Sequence, residues 1–183
     1  MGSGKLASVF SSQRPASSHD LESAIRQTVE AYTDLSRDKV GALMVFERRD
    51  LLDDVIKTGT PLDCSVTGEL LKNLFWNKAP LHDGAVIVRD ARIKAAGCVL
   101  PLSANQDISK DMGTRHRAAL GMSENSDALC VVVSEETGII SMAKNGVLIR
   151  HFDRQTLYTR LVDEMIPKET ASEKSAAEGW KAR

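Results

Sequence analysis

Cysteine is scarce in this chain. Cys64, Cys98 and Cys130 are the only three in 183 residues, and no CxxC spacing joins any two of them. That argues against a disulfide framework or a structural zinc site and fits a reducing cytosol. The plain reading is three small core residues. Long apolar runs are also missing. No stretch approaches the ~20 residues a membrane helix needs, and no signal-peptide pattern opens the chain. Neither sign of charge dominates: Lys and Arg number 24 against 25 Asp and Glu, for a net charge of −1. No global field therefore draws the chain to nucleic acid, and any basic site must be a local cluster. Neither GxxxxGK(S/T) nor GxGxxG occurs, so the standard P-loop and Rossmann phosphate cradles are absent. There is no internal repeat.

What is present suits one domain. The composition is 42% hydrophobic and 27% charged, enough to build a core and keep a solvated surface. Met1-Gly2-Ser3-Gly4 resembles a vector-derived start, and residues 1–19 read as a flexible, Ser-rich lead-in. Asp20 is placed to cap a helix ending near Arg37, with Leu21, Ile25, Val29 and Tyr32 as its apolar stripe. Ala42 to Phe46 is a continuous apolar run and reads as an interior strand. A short helix or turn over Leu51 to Ile56, a weak strand over Leu62 to Val66 and a helix over Thr67 to Asn77 follow. In that helix Trp76 is a candidate for packing inward. Gly84 to Arg89 and Ile93 to Leu100 read as a hairpin around Asp90-Ala91, and Pro101 to Met112 as a polar loop with Asn105, Asp107 and Asp111. A helix opened by Gly113-Thr114 runs to about Met122, and a turn covers Ser123 to Asp127. Ala128 to Val133 is a second buried strand, and Asn145-Gly146 turns a second hairpin between Ile139–Ala143 and Val147–Phe152. A last helix spans Gln155 to Ile166, and 167–183 is a charged, frayed tail.

The pattern predicts a single α/β (α+β) domain over 20–166, a central mixed sheet with helices on both sides. Its expected core is Leu43, Val45, Val86, Ile87, Val88, Leu129, Val131, Val133, Leu157 and Leu161. Each such burial contributes ~1.5–3 kcal/mol.

Three segments carry candidate chemistry. Leu81-His82-Asp83-Gly84-Ala85-Val86 sets an acid and a histidine at the mouth of a buried strand. A carboxylate there must be solvated, hydrogen-bonded or bound to a cation. Asp83 is either a strand cap or a reaction centre, and His82 either a satisfied histidine or a ligand for a hard divalent ion. Gly84 removes a side chain, so a ligand could approach the backbone. Gly113-Thr114-Arg115-His116-Arg117 places cationic donors at a helix start, with Thr114 able to cap. Helix N-termini favour anions and disfavour uncompensated cations, which points to a bound anion. The alternative is a basic turn paired with surface acids. Ser134-Glu135-Glu136-Thr137-Gly138 ends a buried strand, either as a solvated hairpin end or as part of a site.

Taken together, Asp83-Gly84-Ala85 and Arg115-His116-Arg117 in this order and context resemble the two signature motifs of the diadenylate cyclase family. Ser134 to Gly138 also looks like that family, and the resemblance covers about Leu21 to Ile166. It implies condensation of two ATP molecules into cyclic di-AMP with loss of two pyrophosphates, in a site formed by two facing protomers. It implies a catalytic Asp83 with Arg115 and Glu136. Gly84, Ala85, Val99, Leu100, Gly113, Thr114, Arg115, His116 and Arg117 would lie around the nucleotide. His82, Asp83 and Glu136 would hold Mn²⁺ or Mg²⁺. Glu136 matches the family position better than Glu135.

The membrane-anchored type is the nearest resemblance, better than the DNA-scanning or sporulation types. That places the native protein at the cytoplasmic face of the cell membrane, through an N-terminal anchor lying outside this sequence. ATP, a second copy of the chain and a regulatory protein are the partners implied, without nucleic acid. The rival readings are a non-catalytic nucleotide-binding sensor domain of the same fold and a plain interaction domain.

Overall fold

In the computed structural model, residues 15–105 and 112–167 are described. The proposed scar, most of the lead-in, the acids Asp107 and Asp111 and the charged tail lie outside them. Helix α1 (Ser18–Arg37) leads into β1 (Ala42–Phe46), α2 (Asp53–Ile56), β2 (Thr60–Ser65) and α3 (Gly68–Phe75). The hairpin β3 (Ala85–Arg89) and β4 (Arg92–Cys98) follows, then α4 (Thr114–Glu124). Strands β5 (Leu129–Val133), β6 (Ile140–Lys144) and β7 (Val147–Phe152) and helix α5 (Arg154–Met165) complete the order.

The seven strands form one mixed sheet in the order β2-β4-β3-β1-β5-β6-β7. Alternate residues of the central strands face opposite layers. Met44, Phe46, Val86, Val88, Val131 and Val133 pack with α1, α3 and α5. Leu43, Val45, Ile87, Cys130 and Val132 pack with α4, joined by Val55 and Ile56 of α2. A strand covered on both faces has no polar side to show, so β1, β3 and β5 read as unbroken apolar runs. All ten expected core residues are buried.

Local chemistry sets the element ends. Ser17, not Asp20, is the N-cap of α1. Its hydroxyl accepts from Asp20 N–H, and Asp20 returns a bond to the Ser17 backbone. This is a capping box, which starts the helix within the stretch read as lead-in. Helix α3 stops at Phe75, and Trp76 turns out to extended backbone and is 61% exposed, so it does not pack inward. Strand β2 begins earlier than expected and takes in Pro61; it is an edge strand, where a missing N–H costs no central ladder bond. Both hairpins are turned by paired positive-φ residues, Asp90-Ala91 and Asn145-Gly146, whose twist suits two-residue loops. No helix among the described residues is long and apolar enough to cross a membrane.

Two polar ties anchor the layers. The buried Tyr32 hydroxyl donates to the Val131 carbonyl at 3.0 Å, fixing α1 across the sheet centre, and its ring meets Phe75 edge-on. Burial pushes that phenol well above its ordinary pKa, so it stays a donor through alkaline pH. At the far end of β1 the buried Glu47 carboxylate accepts from Arg89 Nη2 at 2.7 Å and from Leu52 N at 2.8 Å, which offsets its desolvation. Tyr32→Phe removes one neutral hydrogen bond and is expected to cost ~1 kcal/mol. Differential scanning calorimetry should show a Tm about 2–4 °C lower.

Candidate active site

The strand directions choose where a site can form. Strands β1 and β3 run parallel, with Met44 beside Val86. Their starts therefore lie at the same end of the sheet. Strands β4 and β5 run antiparallel to these neighbours, with Ala85 opposite Cys98 and Ala42 opposite Val133. Four loops thus meet at one edge: the entries at Gly41 and Asp83-Gly84, and the exits at Val99-Leu100 and Ser134-Glu135-Glu136. The N-terminus of α4 completes a cleft of about 530 Å³.

Gly84 is needed for reasons of backbone geometry. Its φ is +111°, and a Cβ there would stand 2.7 Å from Gly97 C and 2.8 Å from Cys98 O. The space freed by the missing side chain is filled by β4 rather than left for a ligand. Gly97 also has positive φ, and the ladder register shifts between Ala85 and Ile87. The two glycines let β3 and β4 press together where a bulge turns the chain outward. Asp83 sits exposed at the rim this creates, while Ala85 is buried in the strand.

His82 lies just outside the lining of the cleft. Its Nδ1 is 2.7 Å from the Ala79 carbonyl. A carbonyl only accepts, so Nδ1 is the donor in this contact.

Gly113 is the N-cap of α4 and makes no side-chain cap bond; Thr114 is the first helical residue rather than the cap. Among the described residues, a Cβ on Gly113 would meet nothing within 4 Å. The first N–H groups of a helix generally lack partners within it and can serve an anion; in α4 His116 N already donates to the Gly113 carbonyl at 3.1 Å. Arg115 Nη1 donates to Glu135 Oε2 at 2.8 Å; the arginine side chain is 18% exposed and the glutamate 60%. The paired-surface-acid alternative is thus realised, but inside the cleft. Arg117 turns away. Its Nη2 donates to the Ser103 carbonyl at 3.2 Å, while Ser103 N donates to the Arg117 carbonyl at 2.9 Å. That exchange holds the loop after β4 onto α4. His116 is buried in the cleft wall.

Of the residues singled out from the sequence, Asp83, Gly84, Val99, Leu100, Gly113, Thr114, Arg115, His116 and Glu136 line one cleft. Ala85, Arg117 and His82 are not among its lining residues. Leu43, Leu102, Ala118 and Val133 add an apolar wall that sequence reading did not assign to a site. Leu102 is 55% exposed, and its place in a Pro-Leu-Ser loop after an apolar strand was the available signal. Cys98 also faces the cleft, but burial pushes its thiol up to about 11, so it stays protonated at neutral pH. No cluster of three His, Cys, Asp or Glu residues gathers among the described residues.

Residues 29–148, which hold all three segments, match the family described as DAC, DisA bacterial checkpoint controller nucleotide-binding. The chain belongs to this family. It is 44% identical over 167 residues to the cyclic di-AMP synthase CdaA of Bacillus subtilis, covering 89% of this chain and 61% of that protein. It is 39% identical over 181 residues to a diadenylate cyclase of Listeria monocytogenes, covering 99% of this chain and 65% of that one. The chain thus spans less than two thirds of the length of these relatives. Among solved structures, a double mutant of DacA from Staphylococcus aureus superposes with a TM-score of 0.79 at 42% identity, covering 81% of this chain and 99% of that one. A hypothetical membrane spanning protein from Bacillus cereus gives a TM-score of 0.66 at 47% identity, covering 69% of this chain and 62% of that one. The single mixed α/β domain expected from the sequence agrees with the DacA fold.

The glycine geometry makes a direct prediction. Gly84→Ala combines an unfavourable φ with a backbone clash and should destabilise by at least ~1–3 kcal/mol. Urea denaturation should show a lower midpoint than wild type with an unchanged slope.

Proposed function

We propose that the protein is a diadenylate cyclase that joins two ATP molecules into cyclic di-AMP and releases two pyrophosphates. The observation that carries this reading is the convergence of Asp83, Arg115 and Glu136 with a helix N-terminus and an apolar wall in one cleft of about 530 Å³. Its size lies in the usual range for small-ligand sites. The names of the relatives agree with it.

In this reading the apolar wall of Leu43, Val99, Leu100 and Leu102 receives the adenine. Gly113, Thr114 and Arg115 receive the phosphates, and Glu135 yields Arg115 to them. The 3′-hydroxyl of one nucleotide attacks the α-phosphorus of the other. A P–O bond forms, the bond to the bridging oxygen breaks, and pyrophosphate leaves with the electron pair. Asp83 receives the hydroxyl proton. One cleft has one anion-binding helix end and serves one nucleotide, so the attacking partner sits in the cleft of a second copy facing the first. Holding both in line supplies up to ~7–11 kcal/mol of the barrier as avoided entropy.

A divalent cation, Mn²⁺ or Mg²⁺, fits the donors present. Asp83 and Glu136 offer hard carboxylate oxygens to the cleft, and His82, with Nδ1 taken up at the Ala79 carbonyl, has Nε2 as its ligating atom. With no ready-made three-residue cage, the remaining ligands would be phosphate oxygens and water. Such an ion, when bound, neutralises phosphate charge. Attachment to the cytoplasmic face of a membrane through residues outside this sequence, and control by a regulatory protein, complete the proposal.

Incubation with ATP and Mn²⁺ should yield cyclic di-AMP by mass spectrometry. Asp83→Asn should lower turnover by about 10²–10⁴-fold, the usual contribution of a positioned base, with an unchanged Tm because Asp83 is exposed. Full activity in that variant would reduce Asp83 to a strand cap. Thermal stabilisation by an ATP analogue without product from wild type would mark a sensor instead.

A further inference from the structure

We propose that Gly41 is a positioning residue of the nucleotide site, kept without a side chain so that the Arg115 guanidinium can lie against its backbone. The inference rests on the reading of Arg115 as a phosphate-binding residue. Gly41 is buried at the entry to β1, on the sheet edge where the cleft opens. A Cβ built there would stand 2.7 Å from Arg115 Nη1, 2.8 Å from Cζ and 3.2 Å from Nε. These three nearest atoms all belong to one guanidinium, and the first two distances are shorter than real Cβ contacts show.

Backbone conformation does not explain the glycine. The positive-φ glycines are Gly84, Gly97, Gly138 and Gly146, and Gly41 is not among them. Alanine could therefore adopt the same backbone, and what it lacks is room. That room is occupied by the end of a long, flexible side chain, so an added methyl displaces the guanidinium more readily than it disturbs the strand.

The rest of the Arg115 environment agrees. Its Nε is buried without a hydrogen bond among the described residues. Nη1 is held by Glu135, which is largely exposed and exchangeable for a phosphate oxygen. Gly41 is then the fixed wall and Glu135 the replaceable counterion. An arginine fork recognises phosphate through its orientation, and a misplacement of about 1 Å in such a group costs up to about 100-fold. A wall that sets the orientation before the ligand arrives lowers the cost of ordering it on binding.

The test is a double-mutant cycle of Gly41→Ala and Arg115→Ala, read by the Kd of a non-hydrolysable ATP analogue and by Tm. Gly41→Ala should weaken binding about tenfold or more, and the same change should have no effect on the residual binding of the Arg115→Ala chain. Any loss of Tm in Gly41→Ala should be restored by Arg115→Ala, which removes the group the methyl meets. Wild-type affinity in Gly41→Ala, equal losses in both backgrounds, or a Tm loss that persists without Arg115 would each overturn the assignment. If wild type itself fails to bind the analogue, the nucleotide reading falls and this inference with it.

Discussion

The parallel pairing of β1 with β3 is the constraint on which the molecule depends. The other ladders of the sheet are antiparallel. One parallel pair at the centre puts two strand entries at the same edge, and the antiparallel neighbours on either side bring two strand exits to it. A parallel pair also needs a long crossover, here α2, β2 and α3, which carry the chain around the outer edge and back. Polar groups at that edge need not be buried, so charged residues gather there at little cost to the core. The Gly84–Gly97 contact then sets how far the chain leaves the sheet and brings Asp83 to the rim.

Electrostatics follows from that placement. A helix N-terminus with a basic first turn is unfavourable by itself, and Glu135 compensates it in the absence of ligand. In the proposed reading a polyphosphate takes over this role, because Glu135 is exposed while Arg115 is mostly buried against Gly41. The arrangement is complementary to an anion before one is present, the kind of preorganised field that stabilises charge in phosphoryl transfer. It is also an arrangement for one anion. In the proposed reaction the second nucleotide comes from outside the protomer.

Much of this was legible in the sequence because burial on both faces leaves a strong trace. The runs at Ala42–Phe46, Gly84–Val88 and Ala128–Val133 could hardly be anything but interior strands, and Asn145-Gly146 announced its turn. Element ends were harder, since they depend on side-chain bonds such as Ser17 with Asp20 that propensity does not reveal. Asp83, Arg115 and Glu136 were found through motif resemblance; their nearness comes from strand direction, which no local pattern encodes. Gly84 lines the cleft as expected from the sequence, but the clash of an added Cβ with the β4 backbone is a steric reason that no local pattern shows. Arg117 was read as a phosphate contact, yet in this structure it braces Ser103. Gly41 went unnoticed because its partner lies far away in sequence and its reason is steric.

In the proposed reaction one protomer holds half of a reaction site. The most direct measurement is turnover per protomer over a range of protein concentrations, with the association state followed in parallel by sedimentation. Turnover per protomer should fall as the protein is diluted into the monomeric range and rise as protomers pair. Constant turnover per protomer in a demonstrably monomeric sample would contradict it.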